Sequence, residues 1–322
     1  MKNIAILTGG DSAEHDISIL SAKTVLKNLN KSIYNGYLIH LKEGLFTAVI
    51  NQKNILLNKE DFSLTINNKK IYFDAVFMAL HGSPAEDGLI QPYFDKLNIP
   101  YNSCNSKISD LTFNKYQCNK KIKKIGFNCA KSYLHHANKK INIDMIIEKV
   151  GIPCFVKPNK SGSSYGISKI TKKENLHIGI SNGLRYDNNV IIEEFINGTE
   201  VSVGVFEDEN RIQSLPITEI ISYNDFFDYE AKYNGKSKEI TPARINSKLT
   251  AEIQKTSIKI YQSMDLRGIC RIDYIIKEDK PFVIEINTIP GLSEESIIPK
   301  QLKCANIKLS DFFELCLNKI IN

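Results

Sequence analysis

In the first part of the chain, short continuous apolar runs alternate with segments whose apolar residues have the spacing of a helix face. Residues 4–7 form a continuous apolar run that predicts a buried strand, and Gly9-Gly10 follow as a tight turn. Beyond the turn, apolar side chains recur with the spacing of one helix face, at Ile19, Ala22, Leu26 and Leu29. Alternation of strand and helix indicates a parallel sheet, and the turn places a helix N-terminus where a polar ligand could bind.

The pattern continues toward the C-terminus. A strand over 75–80 precedes a loop over 83–88 and a helix over 89–97, and Pro100 marks a domain edge. A lysine-rich helix is predicted over 114–125, with strands near 153–157, 166–170, 190–195, 200–206 and 211–217. The last helix carries one apolar stripe, made of Leu309, Phe312, Phe313, Cys316, Leu317 and Ile320.

Two apolar runs near 270–287 hold several ionic side chains with a period of two. Arg271 and Asp273 project from one face, as do Glu285 and Asn287. If the runs pair through the turn at 278–280, two carboxylates and an amide oxygen converge, and such hard ligands suit Mg²⁺. On these residues alone, charges that simply face solvent explain the pattern equally well.

A strand over 155–158 contains Lys157 and leads into a glycine- and serine-rich loop over 159–166. Small residues let backbone N–H groups approach phosphate oxygens, and the lysine adds a positive charge. The loop is neither a Walker A sequence nor a dinucleotide-binding glycine turn. Alone it would be interpreted as a flexible hairpin loop, but together with a downstream acidic cluster it predicts a nucleotide clamp.

Composition is that of a globular protein with room for two or three substructures. The chain has 322 residues, of which 42% are hydrophobic and 24% charged. No apolar run approaches the roughly 18 to 20 residues that span a bilayer, and residues 1–7 are too short for a signal peptide, so a cytoplasmic location is expected.

Charge and cysteine content change this picture little. The net charge of +6 would suit a nucleic-acid partner, but lysines are mixed with acids and there is no arginine stripe or aromatic platform. A solvated surface is the better interpretation. The seven cysteines are scattered and never form a CxxC pair, so free, packed thiols are expected rather than disulfides or a zinc site.

These motifs together resemble the ATP-grasp superfamily. The segments that carry the resemblance are Lys157 with its loop, Glu193-Glu194-Phe195 followed by Glu200, Arg271-Ile272-Asp273 and Glu285-Ile286-Asn287. Three further segments, at 9–18, 81–88 and 229–233, narrow the resemblance to the D-alanine–D-alanine ligase family. The match extends from the first strand to Ser296 in the family's order and spacing.

The resemblance implies an α/β fold with α+β character in its ATP-grasp part. An N-terminal parallel-sheet domain (1–99) would precede a central ATP-grasp subdomain (100–183) and a C-terminal ATP-grasp catalytic domain (184–322). It implies an ATP-dependent enzyme that joins two D-alanines through a D-alanyl phosphate, for peptidoglycan synthesis and cell shape. Magnesium as two ions, or manganese in its place, and a homodimer are also implied, with no nucleic-acid or membrane partner.

The resemblance also assigns roles toward the nucleotide. Lys115, Lys157 and Lys232 would contact the phosphates of ATP. The adenine and ribose would be surrounded by Glu193, Glu194, Ile196 and Glu200, and the metal ions held by Asp273, Glu285 and Asn287.

Further roles concern the amino acids. Arg271 and the N–H of Gly291 would form an oxyanion hole, Glu14 would pair with the first ammonium, and His81 would lie near the first carboxylate. The implied contacts of the second carboxylate are Ser296 and Ile297, and a triad of Glu14, Ser163 and Tyr233 would join two loops into a lid.

Alternatives remain at this stage. Ile297 replaces the family's usual leucine, so the second substrate could differ, as in a D-alanine–D-serine ligase. Lys160-Ser161 departs from the usual residues before the Gly-Ser-Ser, which could alter how the loop is anchored. Tyr233 argues against ligases that use D-lactate. Glu14 could be a helix first-turn acid, His81 a strand-end turn residue, and Tyr233 a residue of simple loop packing. A non-catalytic nucleotide-binding or nucleic-acid-binding protein is the third hypothesis.

Overall fold

The structure, a computed structural model, describes residues 1–51, 53–162, 165–208, 211–222 and 237–321. These residues form three main sheets with packed helices and one small separate hairpin. The fold is mixed α/β, as predicted. Within the described ranges, no helix has both the length and the apolar character needed to cross a membrane.

The N-terminal sheet begins at the predicted first strand. Its strands are β1 (Lys2–Gly9), β2 (Tyr34–Lys42), β3 (Leu45–Ile50), β4 (Lys53–Leu56) and β7 (Ala75–Met78), and β5 (Leu64–Ile66) with β6 (Lys69–Ile71) forms the small hairpin. β1 is parallel to β2 and β7, while β3 and β4 add antiparallel strands at one edge. Gly9 has a φ of +90°, and a Cβ there would lie 2.8 Å from the Leu41 carbonyl oxygen, so this turn requires glycine.

Two helices pack beside this sheet, α1 (His15–Asn28) and α2 (Gln91–Leu97). The buried face of α1 includes Ala22 and Val25, but also two serines, Ser18 and Ser21. Polar groups buried on an otherwise apolar face need hydrogen-bond partners, and those of α1 are found in the site described below.

The central part contains the predicted lysine helix and the lysine-bearing strand. Its elements are α3 (Ser106–Phe113), α4 (Lys115–Lys124), β8 (Ser132–His136), α5 (Ile143–Val150), β9 (Cys154–Pro158), β10 (Ser168–Ile170), α6 (Leu176–Gly183) and β11 (Asn189–Glu194). The strands form an antiparallel sheet in the order β10-β9-β11-β8. Because β11 lies between β9 and β8, a division that keeps this sheet whole would fall after residue 194 rather than after 183.

The C-terminal part is built on a second antiparallel sheet. Its elements are β12 (Thr199–Asp208), β13 (Arg211–Ser214), β14 (Thr218–Ser222), β15 (Ser237–Ile240), α7 (Ser247–Ser263), β16 (Cys270–Lys277), β17 (Lys280–Asn287), α8 (Ile297–Cys304) and α9 (Leu309–Asn318). The order is β15-β14-β12-β16-β17, with β13 also on β12. The single strand predicted over 211–217 ends early because β13 and β14 pair with different halves of β12.

The last helix, α9, joins the C-terminal part to the N-terminal sheet. The ring centroid of Phe313 lies 5.5 Å from that of Phe77, and that of Phe312 lies 5.2 Å from that of Phe206. The predicted apolar stripe is therefore buried between two sheets. All seven thiols are free, and all but Cys304 are buried, as expected for packed cysteines.

Candidate active site

A cavity of about 770 Å³ is lined by residues from all three parts of the chain. The predicted site residues that line it are Glu14, His81, Lys115, Lys157, Ile196, Glu200, Arg271, Asp273, Glu285, Asn287, Gly291, Ser296 and Ile297. Ser163, Lys232 and Tyr233 fall outside the described residues. Side chains that are up to 283 positions apart in the sequence, from Glu14 to Ile297, thus face one volume.

The acidic hairpin has the predicted pairing. β16 and β17 are antiparallel, with Arg271 opposite Asn287 and Asp273 opposite Glu285. The two turn residues, Glu278 and Asp279, have φ values of 51° and 56°, which matches a tight two-residue hairpin turn. The predicted convergence of two carboxylates, an amide and a guanidinium is therefore confirmed.

Asp273 is held by donors on every side. Its Oδ1 accepts from Arg271 Nε at 2.9 Å and its Oδ2 from Arg271 Nη2 at 2.8 Å, which is a bidentate pair. Asn287 Nδ2 donates to Oδ2 at 3.0 Å, and the Ser202 hydroxyl donates to Oδ1. Burial is the largest single effect on the pKa of Arg271 and lowers it, but the charge of Asp273, the hydrogen bonds to it and more distant acids raise it, so the net shift is upward.

Lys157 extends from β9 into the cavity and pairs with a buried acid. Its Nζ lies 2.9 Å from Glu193 Oε2, and Asn119 Nδ2 donates to the other oxygen of Glu193 at 2.5 Å. Burial is the largest single effect on the pKa of Lys157 and lowers it. The charge of Glu193, the hydrogen bond to it and the charges of the more distant acids Glu285 and Glu200 together outweigh burial, so the net shift is upward. A positive charge is therefore fixed beside the glycine loop.

The two neighbouring acids of β11 point to opposite faces of the sheet, and neither lines the cavity. Glu193 reaches the cavity only through Lys157, whereas Glu194 Oε1 accepts from the Lys131 backbone N–H at 2.7 Å. The adjoining wall of the cavity is apolar, with the ring centroids of Phe155 and Phe195 5.8 Å apart. Contact of Glu193 or Glu194 with an adenine remains a prediction.

The glycine loop touches the N-terminal part. A Cβ on Gly162 would lie 2.6 Å from Glu14 Oε2, so a larger residue at this position would push the carboxylate away from the loop. Lys115 Nζ donates to the Ser161 carbonyl oxygen at 2.5 Å, which ties α4 to the same loop. The predicted triad of Glu14, Ser163 and Tyr233 cannot be traced, because two of its members lie outside the described residues.

The N-terminal wall, defined as Glu14, His81 and Glu86, contains two groups, His81 and Glu86, whose neutral forms are favoured by burial. Burial lowers the pKa of the His81 imidazole, and its Nδ1 hydrogen-bonds to the Ile289 carbonyl oxygen at 2.8 Å. Burial, and next the charge of Glu14, raise the pKa of Glu86 well above its usual value. Glu86 Oε1 lies 3.9 Å from His81 Nδ1, so both groups border the same part of the cavity.

The predicted second-substrate residues lie at the start of α8. Ser296 precedes the first residue of the helix, Ile297, and its hydroxyl is 2.7 Å from that of Ser293. A Cβ on Gly291 would lie 2.7 Å from Ser296 Oγ, so a larger residue there would displace the Ser296 hydroxyl. The helix N-terminus offers backbone N–H groups and a partial positive charge to a carboxylate.

Sequence reasoning missed several residues of the site. Glu86 belonged to a motif but was given no role, and Ser202 and Ser21 had no motif at all. The signal for Ser21 was its position on the apolar face of α1, one turn beyond Ser18 and beside Ala22. Ser202 carried no such signal, because the pairing that sets it opposite Asp273 spans 71 positions.

The fold and the site define an ATP-grasp ligase, in which a lysine-bearing strand, a glycine loop and an acidic hairpin share one cavity. Profiles of the families described as "D-ala D-ala ligase N-terminus" and "D-ala D-ala ligase C-terminus" match residues 3–104 and 121–318. The chain belongs to the D-alanine–D-alanine ligase family.

Individual relatives agree over nearly the full length. A D-alanine–D-alanine ligase of Flavobacterium johnsoniae is 49% identical over 314 residues, which is 97% of each chain. The VanG D-Ala:D-Ser ligase of Enterococcus faecalis superposes with a TM-score of 0.88 at 27% identity, covering 98% of both chains. A D-alanine–D-alanine ligase of Bacillus anthracis complexed with ATP superposes with a TM-score of 0.80 at 25% identity, and the superposition covers 99% of this chain and 97% of that one.

Proposed function

We propose that this chain joins two D-alanines into D-alanyl-D-alanine with ATP. The observation that carries the proposal is that Lys157, the acidic hairpin and Glu14 all line one cavity of about 770 Å³. The family membership and the named activity of its relatives support it. ATP as a substrate is further supported by the similarity to an ATP-complexed ligase.

The chemistry explains why these groups are needed together. A carboxylate oxygen of the first D-alanine attacks the γ-phosphorus of ATP, and ADP leaves. The amine of the second D-alanine then attacks the acyl carbon of the D-alanyl phosphate, loses a proton, and the intermediate collapses with release of phosphate. Holding the three reactants in line supplies several kcal/mol, up to about 7 to 11 in well-oriented cases.

Each charged residue has a task in these steps. Lys115 and Lys157 neutralise phosphate oxygens, and Arg271 with the Gly291 N–H stabilises the oxyanion of the tetrahedral intermediate. Glu14 pairs with the first ammonium, and His81 borders the first subsite. The second carboxylate lies at the start of α8 beside Ser296 and Ile297. Ser163, Lys232 and Tyr233 keep the lid and phosphate roles expected from their motifs.

Magnesium suits the donors of the hairpin. Asp273, Glu285 and Asn287 offer two carboxylates and an amide oxygen, the hard ligands that Mg²⁺ or Mn²⁺ takes with substrate phosphates. The Asn287 amide now donates to Asp273, and turning its oxygen inward would free a lone pair on that carboxylate. Two bound ions would neutralise phosphate charge and orient the γ-phosphoryl group.

The reaction bears on where the protein acts, whereas its assembly rests on the family resemblance. The dipeptide is a precursor of peptidoglycan, so the protein serves cell-wall synthesis and cell shape. ATP is an intracellular substrate, which favours the cytoplasm. A homodimer, without nucleic-acid or membrane partners, remains the expectation from the family resemblance.

A coupled ADP-release assay against a panel of D- and L-amino acids tests the proposal. We expect ADP release that requires ATP and D-alanine, that disappears in folded Arg271→Ala, and that is lost when Mg²⁺ is chelated. Similarity to VanG makes D-serine the competing second substrate, and D-serine incorporation in preference to D-alanine would select that alternative. ATP binding without turnover for any amino acid would contradict the ligase assignment.

A further inference from the structure

The segment 289–292 contains Gly291 and is held at both ends by the N-terminal part. The Ile289 carbonyl oxygen accepts from His81 Nδ1 at 2.8 Å, and the Leu292 N–H donates to Ser21 Oγ at 3.0 Å. Only Pro290 and Gly291 lie between these two anchor points. The position of the Gly291 N–H therefore depends on two side chains that are far away in the sequence.

His81 and Ser21 also bond to each other, which closes a ring of hydrogen bonds. The Ser21 hydroxyl lies 2.9 Å from His81 Nε2. Because Nδ1 faces a carbonyl oxygen it must carry the ring proton, so Nε2 accepts the hydroxyl proton of Ser21. The hydroxyl thus donates to His81 and accepts from Leu292. Each donor and each acceptor in the ring has one defined partner.

The ring is shielded from solvent. Ser21 is 0% exposed, His81 4%, Ile289 3% and Leu292 1%. The side chain of Ile289 packs in the core of the N-terminal sheet, and that of Leu292 packs in the core shared with α9. In such surroundings a hydrogen bond is stronger than in water, and an unpaired group is costly.

Of the two hydrogen-bonded side chains, Ser21 and His81, only His81 faces the cavity. His81, Ile289 and Gly291 line it, but Ser21 does not. Any effect of Ser21 on the reaction must therefore pass through His81 or through the segment 289–292.

We propose that Ser21 and His81 are positioning residues, which fix the segment 289–292 against α1 and so place the Gly291 N–H for the reaction. This inference rests on the proposed function, in which that N–H stabilises the oxyanion. The stabilisation matters in the transition state rather than in the binding of ATP. Loss of the ring should consequently lower kcat and leave the KM for ATP unchanged.

Ser21→Ala removes the hydroxyl and leaves the Leu292 N–H without its partner. We expect kcat for dipeptide formation to fall about 10- to 100-fold, since small displacements of catalytic groups have effects of this size. Hydrogen exchange at the Leu292 amide should become faster. The matched control is Thr24→Ala, which removes another buried hydroxyl of α1 that bonds only the Leu20 carbonyl oxygen, at 3.1 Å. It should keep the kinetics of the wild type.

Ser21→Cys keeps a group that can donate and accept, but its sulfur is larger than oxygen and forms weaker hydrogen bonds, so kcat should fall between those of wild type and Ser21→Ala. Wild-type kcat in Ser21→Ala, or an equal loss in Thr24→Ala, would overturn the proposal. Should Ser21→Ala not fold, wild-type kcat in Ser21→Cys would show that the side chain acts by packing alone. Failure of the proposed function would look different, as an absence of D-alanine-dependent turnover in the wild type itself.

Discussion

The N-terminal wall and the acidic hairpin hold carboxylic acids of the same cavity in opposite ways. The side chains of Glu86 and Asp273 are nearly equally shielded, at 14% and 7% exposed. Asp273 has a bidentate arginine, an amide and a hydroxyl, whereas Glu86 faces another acid, Glu14, and burial raises its pKa well above the ordinary value. Two acids with similar burial therefore have opposite surroundings: hydrogen-bond donors surround Asp273, whereas a second acid lies beside Glu86.

Replacing each acid by its amide should distinguish the N-terminal wall from the acidic hairpin. The largest effect on stability and activity is expected at the hairpin. Asp273→Asn removes the closest charge partner of the largely buried Arg271 guanidinium, at 2.8 Å, and leaves, among the described residues, only the longer contact with Glu285, at 4.0 Å. Breaking a buried ion pair from one side costs about 3 to 5 kcal/mol of unfolding free energy. ADP release should fall at least about 100-fold, because the amide also removes a proposed metal ligand. Chemical denaturation and the ADP assay measure the two effects.

The control lies on the same hairpin. Asp279→Asn makes the same change at the exposed turn, where the residue has a φ of 56°. Its effect on stability should stay within about 0.5 kcal/mol. Equal stability of the Asp273 and Asp279 variants would contradict the role given to the Asp273 network.

A smaller loss of unfolding free energy is expected for Lys157→Met than for Asp273→Asn. The change leaves the buried Glu193 with Asn119 as a remaining donor, and should cost about 2 to 3 kcal/mol of unfolding free energy. The KM for ATP should rise because a phosphate contact is lost. Lys160→Met is the matched control, since the pair of Lys160 with Asp110 is largely exposed and contributes little. Steady-state kinetics that do not distinguish the two variants would exclude phosphate binding by Lys157.

Glu86→Gln should not lower the stability of the protein in alkaline buffer, in contrast to Asp273→Asn. Because the folded state raises the pKa of Glu86, its contribution to stability is complete at low pH and is lost as pH rises through that raised pKa. Glutamine resembles the protonated acid and lacks this loss, so the variant should match or exceed wild-type stability in alkaline buffer. Urea unfolding across a pH series measures the difference, and a variant less stable than wild type at high pH would contradict the assignment.

The smallest effect on stability is expected for His81→Asn at acid pH. Burial lowers the pKa of His81 from 6.5, so its contribution to stability is present above that value and is lost as pH falls below it. The variant should be less stable than wild type near pH 7.5, and this difference should shrink near pH 5.5. Thermal unfolding at about these two pH values reports the change, and a difference that grows at acid pH would refute the neutral state of His81.

Sequence alone predicted the hairpin well, because period-two alternation and a tight turn are local features. It also placed Lys157 on its strand and the lysine helix within a residue of its bounds. It could not give the ring around Ser21, whose hydrogen bonds join residues 60, 208 and 271 positions apart. Nor could it decide which of Glu193 and Glu194 pairs with Lys157, since strand alternation fixes only that the two acids point to opposite faces of the sheet.

The most direct test of the ligase assignment follows the carboxylate oxygen of the first substrate. D-alanine labelled with ¹⁸O in its carboxylate would be turned over with unlabelled ATP, and the released phosphate analysed by mass spectrometry. The account predicts one ¹⁸O atom in the phosphate for each dipeptide formed, because the oxygen that attacks the γ-phosphorus leaves with it. Dipeptide formation with unlabelled phosphate would contradict a D-alanyl phosphate in this cavity.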